Sequence, residues 1–567
     1  MAENVKITFS PWRVEGIIPK GITILEAARS LGVDIEAPCG GSGKCGRDLV
    51  QIRKEGLLET VLACKTRVET DLEVICRQDE KTSSKIVEGF YPEGNRTYPI
   101  DPSIRKELLH DEHGLYFTGV YDAGILLLQE NGDTKDHVYG IALDMGTTTL
   151  VASLVDLTSG AILGSSSALN PLVYYGHDVM SRIKYAAAQK DGLHSMHREL
   201  TSAVNFLIQA LSSERSVRPE HIYQIIGAGN TTMQHIFLNK EIQGIGEYPY
   251  QAETLDIGAT TARELFLHAN ANAPVTTFPC ISAYVGGDIV AGLLAIDIPS
   301  LEAPAIFLDI GTNGEIALIL HDTIVASSTA AGPCFEGMSI SSGMRAGKGA
   351  IEHVSFNEEL SLDVIGGGQP RGICGSGLLD LVSELVRTGL VNNRGRLESP
   401  DNENTRMQQG CNHIPMRTGS EGGCENLHLK KNLCEQDRKR FFRLTDTVSV
   451  SQEDIRQVQL AKAAIRAGVE ILLARGNVKA EELKTIIIAG GFGYHLNKKS
   501  LFGIGLLPEA TQARLSFAGN SSLGGAVRAI LDKNLMHQAV HIARTAHVVE
   551  LSQIPEFESV FIREMHF

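Results

Sequence analysis

The sequence is poor in aromatic residues, at 6% of 567 with a single tryptophan, and it has no apolar run of the roughly 18 residues that a membrane helix needs. A membrane span is therefore excluded. No long basic run is present, and 67 acidic residues outnumber 52 basic ones for a net charge of −15, which argues against a nucleic-acid partner. The first residues, Met1-Ala2-Glu3-Asn4-Val5-Lys6, lack the charged-then-apolar layout of a signal peptide, so the expected location is cytoplasmic. Ten cysteines are too few for a disulfide scaffold in a chain of this length; in a reducing compartment they read as buried thiols or metal ligands. Neither a Walker loop nor a strand-linked dinucleotide fingerprint stands out.

What the chain has in excess is glycine, 57 residues against an average share of about 7%, gathered in short motifs as tight turns and close backbone approaches require. The length points to three or four domains. Residues 1–82 read as a small α/β unit: a hairpin around Lys6–Phe9 and Val14–Ile18, a helix from Ile24 with Thr23 as N-cap, and strands at Leu49–Ile52 and Leu72–Ile75. Residues 83–137 read as a linker and small middle domain. From Tyr139 apolar strands alternate with amphipathic helices, and the strand-then-Asp-Gly pattern at Ile141–Gly146 recurs at Ile306–Gly311. This recurrence predicts a duplicated α/β fold with two halves, 138–300 and 301–567, around a cleft. The polar stretch 397–447, ending in a basic run from Lys430 to Arg443, reads as an inserted surface loop.

Two motif sets carry chemistry. The first is the glycine-rich stretch from Cys39 to Cys45, followed by Asp48 and Cys64. Thiolates suit soft iron–sulfur centres, and glycines let backbone N–H groups turn toward sulfide. The stretch resembles a plant- or adrenodoxin-type 2Fe–2S ferredoxin loop, in which cysteines stand at the positions of Cys39, Cys45, Asp48 and Cys64. The third position departs from that pattern, and three readings follow: Asp48 ligates iron through its carboxylate, Cys76 substitutes, or the cluster is lost. The second set is Asp144-Met145-Gly146-Thr147-Thr148 and Asp309-Ile310-Gly311-Thr312-Asn313-Gly314-Glu315, 165 residues apart (309 − 144), each after an apolar strand. Backbone N–H groups and threonine hydroxyls in such turns meet phosphate oxygens, and the aspartates hold Mg²⁺ through water. Ile486–Ala489 followed by Gly490, Gly491 and Phe492 supplies a third glycine turn for close approach to adenosine. Asp178 and Asp288 are read either as general bases near the terminal phosphate or as helix caps. Cys280, Cys334 and Cys374 are expected to be buried.

Together the three nucleotide elements resemble the sugar-kinase, actin and heat-shock-chaperone ATPase superfamily. Joined to a ferredoxin-like domain, they resemble the reductive activators of corrinoid proteins. The resemblance runs through Asn170–Leu172, Tyr175–Val179, Gly229–Met233, Ala331–Gly337, Gly372–Gly377 and Ala461–Ile465. It implies a β-grasp ferredoxin-like domain, a middle region and a duplicated ribonuclease-H-like ATPase. It implies a 2Fe–2S cluster, ATP and Mg²⁺ as cofactors, and one-electron reduction of Co(II) to Co(I) in the corrinoid protein of an anaerobic methyltransferase or O-demethylase system. An Asp-x-His-x-x-Gly cobalamin signature is absent, so the corrinoid is expected on the partner, with electrons from an external donor. Family members are often dimers, so a homodimer is expected. Two further readings of the motifs are a small-molecule kinase and a nucleotide-driven conformational protein, each with a degenerate ferredoxin domain.

Overall fold

The computed structural model describes residues 4–10, 14–31, 33, 35, 48–54, 57–75, 99–356, 359–400, 427–491, 496–508, 511 and 513–567. Cys39, Cys45, Cys76 and Phe492 lie outside them.

The N-terminal unit is a five-stranded sheet packed on one helix. The hairpin Asn4–Ser10 and Val14–Pro19 lies at one end, Leu72–Ile75 pairs parallel to the first strand, and Leu49–Lys54 and Leu57–Leu62 complete the other end. This 2-1-5-3-4 order is the β-grasp arrangement. The helix Ile24–Ser30 is opened by Thr23, whose hydroxyl accepts from the Glu26 amide at 3.1 Å while Glu26 accepts from the Thr23 amide at 2.7 Å. Such a reciprocal pair satisfies donors that a helix start leaves free. Ile7, Phe9, Ile24, Ala28, Val50 and Val74 close a core of their own.

A three-stranded antiparallel meander follows, Ile104–His110, Tyr116–Asp122 and Ile125–Asn131. The remainder is built twice. In the first half the strands Tyr139–Met145, Thr149–Asp156 and Ile162–Leu169 form an antiparallel run, and Ile222–Gly229 and Pro274–Thr277 add parallel on the other side of the first strand. In the second half Ala305–Ile310, Gly314–Ile319 and Ile324–Thr329 do the same, with Thr485–Ala489 and Arg514–Gly519 parallel. Numbered within each half, both sheets run 3-2-1-4-5, each with one additional edge strand. This is the duplicated α/β fold that the recurring strand-then-Asp pattern predicted, in the ribonuclease-H-like form that the family resemblance implied. The central strands are apolar runs rather than alternating ones because helices cover both their faces.

The halves share a core in which Ala142, Ile226, Phe307 and Ile487 of the two sheets meet the helices Gly287–Ala295 and Ser521–Leu531. These helices cross closely: a Cβ on Gly525 would sit 2.1 Å from the Ala291 carbonyl oxygen, so only glycine fits there.

One expectation is corrected. Within 397–447, the described part from Leu427 is folded rather than looped. Leu433–Gln436, Lys439–Arg443 and Ser449–Ser451 form a small antiparallel sheet whose Leu433, Phe442, Val448 and Val450 are buried in the second half's main core. The basic run misled because the exposed Lys439 and Arg443 occupy the outer face of the strand that buries Phe442, and period-two alternation hides apolar residues among charged ones.

Candidate nucleotide site and cysteine loop

Each of the two Asp-Gly-Thr motifs is the turn between the first two strands of its half. The turns face one another across the cleft, and the Oγ1 atoms of Thr148 and Thr312 are 3.2 Å apart. Glu336, from the short turn Pro333–Glu336, accepts from Thr148 at 3.1 Å and from Thr312 at 3.3 Å, so one carboxylate joins both phosphate-type loops.

The first loop is held from behind. Asn170 donates to the Gly146 carbonyl at 2.7 Å, and Asn230 donates to the Thr147 hydroxyl at 3.0 Å while capping the helix Thr231–Phe237. Arg182 is fully buried and donates to the carbonyls of Thr147 and Gly176. No carboxylate forms an ion pair with it among the described residues, and burial pushes its guanidinium down to about 9, with Asp178 opposing. Asp144 is oriented by the start of the helix Ser521–Leu531: Asn520 donates to one oxygen at 2.8 Å and Ser522 to the other at 2.9 Å.

The second loop puts Asp309 directly opposite Glu315 across the strand pair. Two like charges in that register repel. Asp144, Asp288 and Glu336 add to the same field. Burial raises the Asp309 carboxyl to about 8, helped by the charges of Asp288, Asp144 and Glu336. Burial raises Asp288 to about 7, with Asp144 contributing. Burial also raises Asp144, Glu315 and Glu336; Arg345 opposes the rise at Glu336. None of the five forms an ion pair among the described residues. Their uncompensated charge is what a cation-bound triphosphate would neutralise, so the residues fit a magnesium nucleotide.

Gly490 closes the third element. Its φ is +97°, and a Cβ there would meet the Ile310 carbonyl at 2.6 Å and Asp309 Oδ1 at 2.8 Å. Gly491 follows it in the turn. Asp178 is placed otherwise than the other three acids. It is the N-cap of the helix Val179–Ala188, accepting from the Ser181 amide and hydroxyl, both at 2.8 Å. Asp288 sits in the first turn of Gly287–Ala295, within the carboxylate group.

Sequence reading gave no role to Glu336, Arg182, Asn520 or Ser522. Asn520 before an apolar run carried a helix-start signal. Glu336 lies in the Ala331–Gly337 stretch that carried the resemblance, but nothing local shows its role, because its partner Thr148 is 188 residues away.

In the N-terminal unit Asp48 and Cys64 are neighbours. Asp48 is 1% exposed, its Oδ2 accepts from the Cys64 amide, and its Oδ1 is buried with no hydrogen-bond partner among the described residues. A buried carboxylate oxygen without a donor suits a ligand to a cation. These two positions therefore fit an iron–sulfur group. Cys280, Cys334 and Cys374 are buried, and burial lifts the first two thiols to about 12. No helix among the described residues is long and apolar enough to cross a membrane.

Residues 139–300 match the family described as the RACo middle region, and residues 303–567 match the one described as the C-terminal domain of RACo, the ASKHA domain. The chain is 29% identical over 596 residues to the corrinoid activation enzyme RamQ of Eubacterium limosum, covering 96% of each. It is 24% identical over 445 residues to the [Co(II) methylated amine-specific corrinoid protein] reductase of Methanosarcina barkeri, covering 76% of this chain and 77% of that one. A solved structure titled reductive activator for corrinoid, iron-sulfur protein superposes with a TM-score of 0.73 at 30% identity, covering 99% of this chain and 98% of the other. With both ATPase halves and the whole length accounted for in this way, the chain belongs to the family of reductive activators of corrinoid proteins.

Proposed function

We propose that this chain uses ATP to drive one-electron reduction of a corrinoid protein, returning an inactive Co(II) centre to Co(I). The observation that carries this reading is the meeting of the two phosphate-type loops at Thr148 and Thr312 in a chain whose N-terminal unit is a β-grasp domain with Asp48 beside Cys64.

Asp144, fixed by Asn520 and Ser522, and Asp309 and Asp288 facing it, hold the hydrated Mg²⁺ of the nucleotide. Gly146, Thr147 and Thr148 with Gly311, Thr312, Asn313 and Gly314 cradle the phosphates, and Gly490, Gly491 and Phe492 receive the adenosine. Asp178 supports the site as the cap of the helix that carries Arg182 to the first loop. Cys39, Cys45, Asp48 and Cys64 are the ligands of a 2Fe–2S cluster, which when bound supplies the one-electron chemistry. The buried Oδ1 of Asp48 supports the aspartate over Cys76 as the fourth ligand. The domain limits 1–82, 83–137, 138–300 and 301–567 follow the same division of labour.

ATP can drive the electron step only if it favours one arrangement of chain and partner over another, because a ligand shifts an equilibrium by its differential affinity alone. The cleft between the halves is the element it biases. The partner is the corrinoid protein of a methyltransferase or O-demethylase system of an anaerobe, electrons come from a separate donor protein, and the chain works in the cytoplasm as a homodimer.

The test mixes cluster-loaded protein, a Co(II) corrinoid protein, a low-potential reductant and ATP, and follows the visible spectrum. Co(I) should accumulate with ATP and not without it. Equal Co(I) formation in both arms would defeat the coupling.

A further inference from the structure

Glu336 is the one described side chain that bonds to both phosphate-type loops. Its turn is carried by the second half, but its Oε2 bonds the Thr148 hydroxyl of the first half at 3.1 Å, while Oε1 bonds Thr312 of its own half at 3.3 Å. The hydroxyls themselves are 3.2 Å apart, so the three groups form a closed triangle. The second loop packs on the same carboxylate: a Cβ on Gly311 would lie 3.7 Å from Glu336 Oε1, and the Gly332 amide at the other end of the turn donates to the Thr312 carbonyl at 3.0 Å. The turn is anchored away from the cleft, where the Cys334 thiol donates to the Gln457 carbonyl of the long helix Gln452–Arg475 at 3.6 Å.

Hydroxyls from two loops that grip a triphosphate from opposite sides converge where the outermost phosphate is held. A carboxylate bonded to both fixes the spacing between the loops. On the nucleotide reading it also places a carboxylate beside the outermost phosphate. We propose that Glu336 is a positioning residue that sets the two phosphate loops in register across the cleft and makes the site tell a triphosphate from a diphosphate. This rests on the nucleotide reading of the site. Glu336 acts through Thr148 and Thr312 and exchanges no proton with the reacting water.

The distinction is testable because glutamine and alanine separate charge from geometry. Glutamine keeps a polar group of the same length that can bond both hydroxyls, whereas alanine keeps neither bond nor charge. In calorimetric titrations of the full-length protein with Mg-ATP and Mg-ADP, E336Q should bind ATP at least about tenfold more tightly relative to ADP than the parent does, because a like charge beside the outermost phosphate has gone. ADP affinity should stay within about threefold. ATP hydrolysis by E336A should fall about 100-fold in kcat, the cost of a loop displaced by roughly 1 Å. E336Q should stay within about tenfold of the parent with an unaltered pH profile. Thr148→Val should cost as much as E336A, and the double variant no more than either, since both break the same contact; if E336A fails to fold, the ATP-to-ADP ratio of E336Q decides the matter. An unchanged ATP-to-ADP ratio in E336Q would overturn the proposal. So would a fall in E336Q as deep as in E336A, which marks acid–base chemistry. Failure of the parent protein to bind Mg-ATP would instead defeat the underlying nucleotide reading.

Discussion

Replacing Asp309 by asparagine should stabilise the metal-free protein while abolishing its nucleotide chemistry, and the gain should grow with pH. Asp309 faces Asp144, Asp288, Glu315 and Glu336, with Arg345 near Glu336 as the opposing charge. Its carboxyl lies at about 8 in the folded chain against 3.8 in the unfolded one. Because the folded value is the higher, the folded state binds the proton more tightly, and stability is complete below about pH 4, declines as the pH rises and is fully lost by about pH 8. Each pKa unit corresponds to about 1.4 kcal/mol. The four-unit interval would give about 6 kcal/mol for a sealed, isolated group. The carboxylate opens on the cleft and its neighbours share the proton load, so about 1–3 kcal/mol is expected at pH 8. Asparagine keeps the shape, and the Asp309 side chain has no hydrogen-bond partner among the described residues to lose. Thermal melts in EDTA should show D309N melting about 2–8 °C above the parent at pH 8, with near-equal melting at pH 5. Added Mg-ATP should raise the parent's melting temperature and not that of D309N. A variant that melts lower than the parent at pH 8, or an offset independent of pH, would refute the reasoning.

Other perturbations follow from the same geometry. Asp48→Cys should change the absorption and EPR spectra of the iron-reconstituted protein toward those of an all-thiolate cluster, and D48A should lower iron content; identical spectra for all three would remove Asp48 from the ligand set. Arg182→Gln withdraws the buried cation behind the first loop, leaving the Gly176 and Thr147 carbonyls short of donors, and should lower kcat/KM for ATP by about 10²-fold and stability by about 2–4 kcal/mol, read by steady-state kinetics and urea melts. Gly490→Ala forces a side chain into positive φ and against Ile310 and Asp309, and should cost about 1–3 kcal/mol with loss of ATP binding by calorimetry. The pair N520A and S522A frees Asp144 and should raise the Mg²⁺ concentration needed for half-maximal hydrolysis about tenfold, with ADP binding in excess Mg²⁺ little changed.

Local pattern carried most of the fold. The strands ending in Asp144 and Asp309 were readable because covered parallel strands are apolar throughout, and an aspartate followed by glycine interrupts that run visibly. The helix at Ile24 was readable because Thr23 and Glu26 spell its start. The strand Leu57–Leu62 went unread, and so did the hairpin within Leu433–Arg443, whose charged outer face outweighed its buried leucine and phenylalanine. The site was legible as motifs and illegible as a network. Glu336 bridges residues in both halves, Asn520 and Ser522 reach Asp144 from 376 and 378 positions away, and Arg182 reaches Thr147 from 35. Such pairings are set by how two sheets and their crossing helices pack, which no window of sequence contains. Asp48 is the converse case: the motif marked it as a departure, and its buried oxygen, without a donor among the described residues, gives the departure a physical content.

The three-stranded meander is packed where a change in the cleft acts on it directly. Its Ile104 and Val120 belong to the same core as Phe307, Ile487 and Ala291, so it packs where the two halves share their interior. Lys106, 1% exposed, pairs with Glu130 at 2.7 Å, and Tyr223 of the first half donates to the same carboxylate with its ring under the lysine. Asp101, just before the meander, exchanges backbone hydrogen bonds with Leu531 at 2.8 Å and Lys533 at 3.1 Å of the second half. The segment is thus tied to one half by a buried ionic and aromatic cluster and to the other by a backbone bridge. Breaking one partner of a buried pair costs about 3–5 kcal/mol, more than the 1–3 kcal/mol over which ligand-linked couplings run. A change in the angle between the halves is therefore more cheaply met by moving the meander as a body than by tearing either attachment. Lys106→Met should then weaken the dependence of cobalt reduction on ATP while leaving ATP hydrolysis by the isolated protein within about threefold; equal loss of both would place the meander in the scaffold alone.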